Sequence, residues 1–251
     1  MRHHVGLDEA GRGPVLGPLV IGVCSVPAAD VHLLIEQGVR DSKDLTPKKR
    51  MALEAWFNEQ QKTRGWFGLT ISYSAERIDI ALQNEGLNML EVLGFRDALE
   101  ALPAHQNVDV VADACDVDAE RFTRRIAQRL EGWPWPSSTM VSEHKADQNH
   151  PVVAMASILA KEQREREMSA LQNRYTVPLG SGYPSDPTTR QALNVLCEQE
   201  GIDPDVRWGG PPFNGFGKNT GKAMCRFVAN NALFNRPCFV RTVRAFLEGA
   251  G

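Results

Sequence analysis

Two adjacent carboxylates interrupt an apolar run near the start of this chain, and they narrow what it can become more than any other feature. Residues 5–26, VGLDEAGRGPVLGPLVIGVCSV, read as two strands at 5–7 and 18–26 joined by a tight loop, with Asp8 and Glu9 at the end of the first. Consecutive strand residues point to opposite faces, so both carboxylates reach one site only where the chain bends. Gly11, Gly13 and Pro14 suit such a bend, because glycine adopts backbone angles that other residues avoid. An acidic hairpin corner is the plainer account of the pair, since acids are common in turns. A dinucleotide-binding loop is excluded. Its glycines at 11, 13 and 17 overshoot G-x-G-x-x-G by one position, and a β-rich apolar run stands where a helix should begin.

A chain of 251 residues, 42% hydrophobic and 24% charged, has enough apolar material for a substantial core, as one domain with an appendage or two small ones. No apolar run approaches the roughly 20 residues of a membrane span, and residues 1–4 lead straight into a strand without a signal-peptide pattern. The expected location is cytoplasmic, or nuclear in a eukaryote, with no membrane partner. The five cysteines are scattered and never in C-x-x-C spacing, which argues against a disulfide framework and a structural zinc site; they read as small apolar residues. Net charge is -3, but residues 206–251 hold seven basic side chains against one acid. That asymmetry fits an acidic metal site plus a basic arm that grips a phosphate backbone, and equally an ordinary solvated basic face.

Along the chain, helices alternate with strands. Thr46 and Pro47 open a helix that buries Leu53, Trp56 and Phe57; 66–74 is a third strand; Ser74 caps another helix, and 87–102 forms the next. Residues 108–112, VDVVA, form a buried strand ending in Asp113, which repeats the logic of Asp8. A basic amphipathic helix at 120–130 precedes a strand from 139 that runs into EHKAD, and Pro151 opens a helix with Val152, Met155, Ala156 and Leu159 inward. Beyond Tyr175 the composition turns to Gly and Pro, so the expected organisation is a main domain at 1–177 and an extension at 178–251.

Asp8, Glu9, Asp113 and Asp147 each stand where an apolar run gives way to loop or helix, and in open sheets with parallel strands ligands collect outside strand ends. At 4 Å and an effective dielectric of 20, each pair of like charges costs about 4 kcal/mol, so either some of these acids are protonated or cations sit among them. Mg²⁺ or Mn²⁺ is the natural choice for oxygen ligands. His144 has no second histidine at helical spacing to join it as a ligand.

These residues resemble type 2 ribonuclease H, ribonuclease HII, closest to its archaeal and eukaryotic branch. The resemblance rests on DEAGRGPVLGPLV, DSK at 41–43, DACDV at 113–117, EHKAD with SILAK between 143 and 161, and GSGYPSDP at 180–187, in the family's order and spacing. It implies an α/β, ribonuclease H-like fold: a five-stranded mixed sheet flanked by helices, with a helical C-terminal extension that binds substrate. It implies that Asp8, Glu9, Asp113 and Asp147 are catalytic and hold two divalent metals, Mg²⁺ or Mn²⁺. The implied activity is hydrolysis of RNA in RNA/DNA hybrids and cleavage 5′ of ribonucleotides embedded in duplex DNA, leaving a 3′-hydroxyl and a 5′-phosphate. By the same resemblance, backbone groups of Gly11, Arg12 and Gly13 contact the ribose 2′-hydroxyl, Tyr183 packs against the following nucleotide, and Ser42 and Lys43 contact phosphate. Lys145 and Lys161 carry a weaker implication, with surface salt bridges as the alternative. The implied state is a monomer, joined by accessory subunits in eukaryotic relatives.

Two departures stand out. Arg164 is followed by Glu165 where the family usually has Arg-Asp, and VRWGGPPFNGFGKN follows Asp205 where an Arg-x-Ser-Trp-like segment is common. A non-cleaving module that binds hybrid duplexes is the alternative from another class, but it has no reason to keep four mutually repelling acids. A nuclease of the same fold acting on DNA junctions has no use for the Gly-Arg-Gly and Tyr183.

Overall fold

The computed structural model describes residues 1–198 and 204–207. Of the basic segment at 206–251, Val206 and Arg207 are described and the rest lies outside the described residues. The chain divides into two compact units, the first formed by Met1–Gly11, Leu19–Ser72 and Asn88–Glu165, the second by Arg12–Pro18, Tyr73–Leu87 and the chain from Arg166 onward.

The first unit is built on a five-stranded sheet of β1 (His3–Ala10), β2 (Leu19–Pro27), β3 (Phe67–Tyr73), β4 (Val108–Asp113) and β5 (Thr139–Glu143), in the order β3-β2-β1-β4-β5. β1 runs antiparallel to β2 and parallel to β4, and β4 is parallel to β5, so the sheet is mixed. The helices of the described chain are α1 (Val31–Gln37), α2 (Pro47–Arg64), α3 (Ala75–Gln83), α4 (Leu87–Glu100), α5 (Ala119–Ala127), α6 (Ala146–Asn149), α7 (Pro151–Gln172) and α8 (Pro187–Glu198). Every residue of β2 is buried, as expected of a strand covered on both faces, whereas β5 is an edge strand with exposed positions. Helix starts follow local chemistry. Thr46 Oγ1 accepts the Lys49 N–H and Ser74 Oγ accepts the Arg77 N–H, each worth about 1 kcal/mol against alanine.

One expectation fails in an informative way. β1 does not stop before Asp8; its ladder with β2 continues through Asp8↔Gly22, Glu9↔Ile21 and Ala10↔Val20. The acids therefore stand in a strand, not in a bend beyond it.

α7 is buried on more than the single face that Val152, Met155, Ala156 and Leu159 predict, because Val153, Ala154, Ile158 and Ala160 are also inaccessible. Residues 152–160 are apolar on almost every side, as a helical segment inside a core must be, while the charges begin at Lys161. The helix packs so deeply because two strand glycines admit its backbone: a Cβ on Gly6 would lie 2.2 Å from the Val152 carbonyl carbon, and one on Gly22 would lie 2.3 Å from the Ala156 oxygen. Only a residue without a side chain permits that approach. A buried ion pair then ties α2 to α7, with Arg50 Nε donating to Glu162 Oε1 at 2.6 Å and Arg50 Nη1 to the Leu45 carbonyl.

In the second unit, Val15, Leu16, Met168, Leu171, Leu179, Leu193, Leu196 and Val206 form a separate apolar cluster.

Gly6→Ala should lower the urea midpoint by an amount equivalent to about 3 kcal/mol, the upper end for overpacking, because backbone rather than a movable side chain blocks the new methyl. Gly65→Ala, with nothing within 4 Å of its Cβ, should cost less despite its positive φ.

Candidate active site

The parallel ladder between β1 and β4 ends at Leu7↔Ala112, so the next residues on the two strands, Asp8 and Asp113, emerge side by side. Glu9 follows on β1, and carboxylate oxygens of Asp8, Glu9 and Asp113 lie within 4.8 Å of one another. The longer glutamate side chain supplies the reach that alternation along a strand denies to a shorter acid.

Asp8 is almost completely buried, and its pKa is raised well above the ordinary carboxylate value, first by desolvation and then by the charges of Glu9 and Asp113. Two donors act the other way: the Ser157 hydroxyl, and the Glu9 N–H at 2.8 Å from Asp8 Oδ1. Burial also raises Asp113, against the Ala146 N–H at 2.8 Å and the charge of Lys43. Asp147, on α6, is buried and adjoins this group without belonging to the tight trio. Burial pushes its pKa up, Lys43 opposes, and the charges of Asp41 and Asp113 add to the rise.

The 41–43 segment borders Asp147. Lys43 Nζ lies 3.6 Å from Asp147 Oδ2 on a side chain 74% exposed, while Ser42 is buried with its Oγ 3.0 Å from Ser157 Oγ. Asp41 accepts from the Lys43 N–H and from Gln148 Nε2. Despite the opposing effect of burial, those contacts and the Lys43 charge hold Asp41 below its usual pKa. Lys43 is raised, partial burial being outweighed by Asp147 and Asp41. Lys145 is exposed at the start of α6, and Lys161 is lowered by burial and by the charge of Arg50.

Three side chains of this neighbourhood escape the sequence reading. Cys115 is not merely a small apolar residue: its thiol donates to Glu9 Oε2 at 3.1 Å, whereas Cys24 fits the apolar description and is fully buried. Glu91, fully buried on α4, brings a carboxylate oxygen within 4.8 Å of ligand atoms of both Glu9 and Cys115. The available signal is an acid flanked by Leu90 and Val92 in an otherwise apolar run, LNMLEVLGF. Ser157, inside SILAK, gives no signal of its own.

Gly11 ends the first unit's opening segment with φ +89°, a conformation that favours glycine. Within the second unit, Arg12 and Gly13 begin a segment held by backbone contacts: the Gly182 carbonyl accepts the Val15 and Leu16 N–H groups. Arg207 is buried, donating Nε to the Gly17 carbonyl and Nη1 to that of Arg12. It is therefore committed to structure, which corrects its place in the expected basic arm. Tyr183 covers Gly13, with ring carbon Cε1 3.6 Å from where a Gly13 Cβ would stand, and is 38% exposed. Asp186 braces the Tyr183 loop through the Ser181 N–H and hydroxyl and the Thr188 N–H, contacts that pull its pKa to about 2.

Carboxylates whose pKa values are raised by burial, and for Asp8 and Asp147 also by neighbouring acids, suit hard divalent cations, and the donor set of Asp8, Glu9, Asp113 and Asp147 fits Mg²⁺ or Mn²⁺ in kind. Comparison with known proteins bears on the family. The family model described as ribonuclease HII matches residues 5–205. Ribonuclease HII of Thermococcus kodakarensis is 43% identical over 204 residues, covering 80% of this chain and 83% of the relative. The crystal structure of ribonuclease H2 from Pyrococcus horikoshii superposes with a TM-score of 0.74 at 34% identity, covering 90% of this chain and 98% of that one. The ribonuclease HII in a PCNA complex from Archaeoglobus fulgidus gives 0.69 at 32% identity, covering 81% and 93%. A mixed sheet with acids at paired strand ends and a match spanning 5–205 lead to one conclusion: the chain belongs to the ribonuclease HII family.

Proposed function

We propose that this ribonuclease H cuts the RNA strand of RNA/DNA hybrids and nicks duplex DNA on the 5′ side of embedded ribonucleotides, leaving a 3′-hydroxyl and a 5′-phosphate. The observation that carries the reading is the approach of Asp8, Glu9 and Asp113 oxygens within 4.8 Å at adjacent strand ends. In this reading those three residues and Asp147 hold two divalent ions. When bound, such ions supply the positive charge that activates a water and stabilises the departing 3′ oxygen. The chain's own residues set the geometry. Asp8 and Asp113 are fixed by strand register, and Lys43, exposed and cationic, approaches a phosphate oxygen.

Discrimination of RNA from DNA falls to the backbone of Gly11, Arg12 and Gly13, since a 2′-hydroxyl both donates and accepts and paired backbone groups can match it. Tyr183 packs against the next nucleotide, a role supported by its partial exposure and its position over Gly13. The chain acts as a monomer on nucleic acid, with the segment from 178 onward contributing to the grip on the duplex. A non-cleaving binding module is disfavoured, because burying repelling acids destabilises the fold with no return unless cations are used.

A duplex carrying one ribonucleotide should be nicked by the wild type in Mg²⁺ or Mn²⁺ and left intact in chelator, with an all-DNA control uncut. Asp8→Asn should lose more than about a hundredfold in rate, beyond the 10–100-fold typical of residues that only support a metal ligand. Equal nicking by wild type and variant would remove Asp8 from the active site, and equal cutting of the DNA control would remove the 2′-hydroxyl reading.

The raised pKa values of Asp8, Asp113 and Asp147 also set a pH dependence. In chelator the folded protein retains protons that the unfolded chain releases at ordinary carboxylate pKa values. Stability should therefore fall as pH rises from that range through the raised values, and saturating Mg²⁺ should flatten the slope. Thermal melts across that interval with and without metal test this; a slope unchanged by metal would contradict it.

A further inference from the structure

Ser42 and Ser157 form a buried pair of hydroxyls, 3% and 6% exposed, with oxygens 3.0 Å apart. Ser157 also hydrogen-bonds the Asp8 carboxylate. A serine hydroxyl has one hydrogen to donate, and an ionised carboxylate can only accept. When Asp8 is ionised, Ser157 spends its hydrogen on Asp8, and Ser42 must donate to the Ser157 oxygen. The direction of the chain Ser42 to Ser157 to Asp8 is thereby set.

Ser42's neighbours in sequence meet the other end of the carboxylate set. Lys43 Nζ is 3.6 Å from Asp147 Oδ2, and Asp41 hydrogen-bonds Asp147 and accepts from Gln148 Nε2 at 3.3 Å. Three consecutive residues thus touch Asp147 directly and Asp8 through Ser157. Ser157 is within reach of Asp8 because α7 is seated on Gly22, the β2 partner of Asp8, where the Ala156 carbonyl would meet a Cβ.

We propose that Ser42 and Ser157 are positioning residues that fix the orientation of the Asp8 carboxylate for metal binding, Ser42 acting only through Ser157, and that Ser42 is not a phosphate contact. This rests on the reading of Asp8 as a metal ligand. Repulsion from Glu9 and Asp113 drives the Asp8 carboxylate away from them, and the donated hydrogen bond holds it in place. Losing either hydroxyl leaves the ion a ligand that must first be ordered.

The test is Mn²⁺ binding to the metal-free protein by electron paramagnetic resonance, for wild type, Ser157→Ala, Ser42→Ala and the double variant. Nicking of the single-ribonucleotide duplex at saturating Mn²⁺ is measured in parallel. Ser157→Ala should weaken Mn²⁺ binding about 10-fold or more, the range for partners of metal ligands, and Ser42→Ala by less. The double variant should be no worse than Ser157→Ala, since residues acting in series are non-additive. KM for the duplex at saturating metal should not change, and Ser42→Thr, which keeps the hydroxyl, should bind Mn²⁺ as the wild type does.

A raised KM for Ser42→Ala with unchanged Mn²⁺ affinity would make it a substrate contact and overturn the proposal. Additive losses would overturn the series arrangement. A lowered melting temperature with unchanged Mn²⁺ affinity in both single variants would reduce the pair to a structural role. Failure of the wild type itself to bind Mn²⁺ would overturn the metal reading of Asp8 first, and the proposal with it.

Discussion

Asp8 carries its carboxylate out of water and beside Glu9 and Asp113, and each of those conditions opposes its ionisation. The magnitudes show how far the protein offsets this by itself. One like-charge neighbour at 4 Å costs about 4 kcal/mol at an effective dielectric of 20. A hydrogen bond donated to a charged group returns about 1.5–3 kcal/mol, so the Ser157 hydroxyl and the Glu9 N–H together balance roughly one neighbour. Desolvation and the second neighbour remain. A proton or a cation must supply the rest, and only a cation leaves the carboxylates available as ligands.

The scaffold around Asp8 serves that arrangement. Parallel register between β1 and β4 puts Asp113 next to it, and the continuous β1–β2 ladder keeps both acids of β1 on rigid backbone rather than on a loop. Gly6 and Gly22 admit α7 to the sheet, and α7 delivers Ser157. Packing and site geometry are therefore one problem here. The same glycines that deepen the core decide where the partner of the Asp8 carboxylate stands.

Local chemistry made much of this visible in the sequence. Thr46, Pro47 and Ser74 announced helix starts, apolar runs marked the strands, and acids at the ends of those runs marked Asp8 and Asp113. What local pattern cannot carry is which distant residues meet. The strand status of Glu9 depends on pairing with Ile21, and Glu91, Cys115 and Ser157 join the site through tertiary contacts that no periodicity encodes. Arg207 illustrates the opposite error. Counted as part of a basic arm from composition, it is buried against the carbonyls of Arg12 and Gly17. Charge counts register the number of cations in a segment and not whether the backbone has already taken them up. The resemblance implies one role for Ser42 and Lys43 together, and only burial distinguishes the two: Lys43 is exposed and Ser42 is not.

On the proposed metal reading the site holds stability in reserve for its ligand: at a pH above the raised value of Asp8, removing its charge relieves repulsion in the metal-free protein and forfeits the stabilisation that metal provides. The most direct measurement is the denaturant midpoint of wild type and Asp8→Asn, each in chelator and in saturating Mg²⁺. The burial of Asp8 beside two other acids predicts that Asp8→Asn is the more stable protein in chelator and the less stable in Mg²⁺. A variant less stable than wild type by the same margin in both conditions would contradict it.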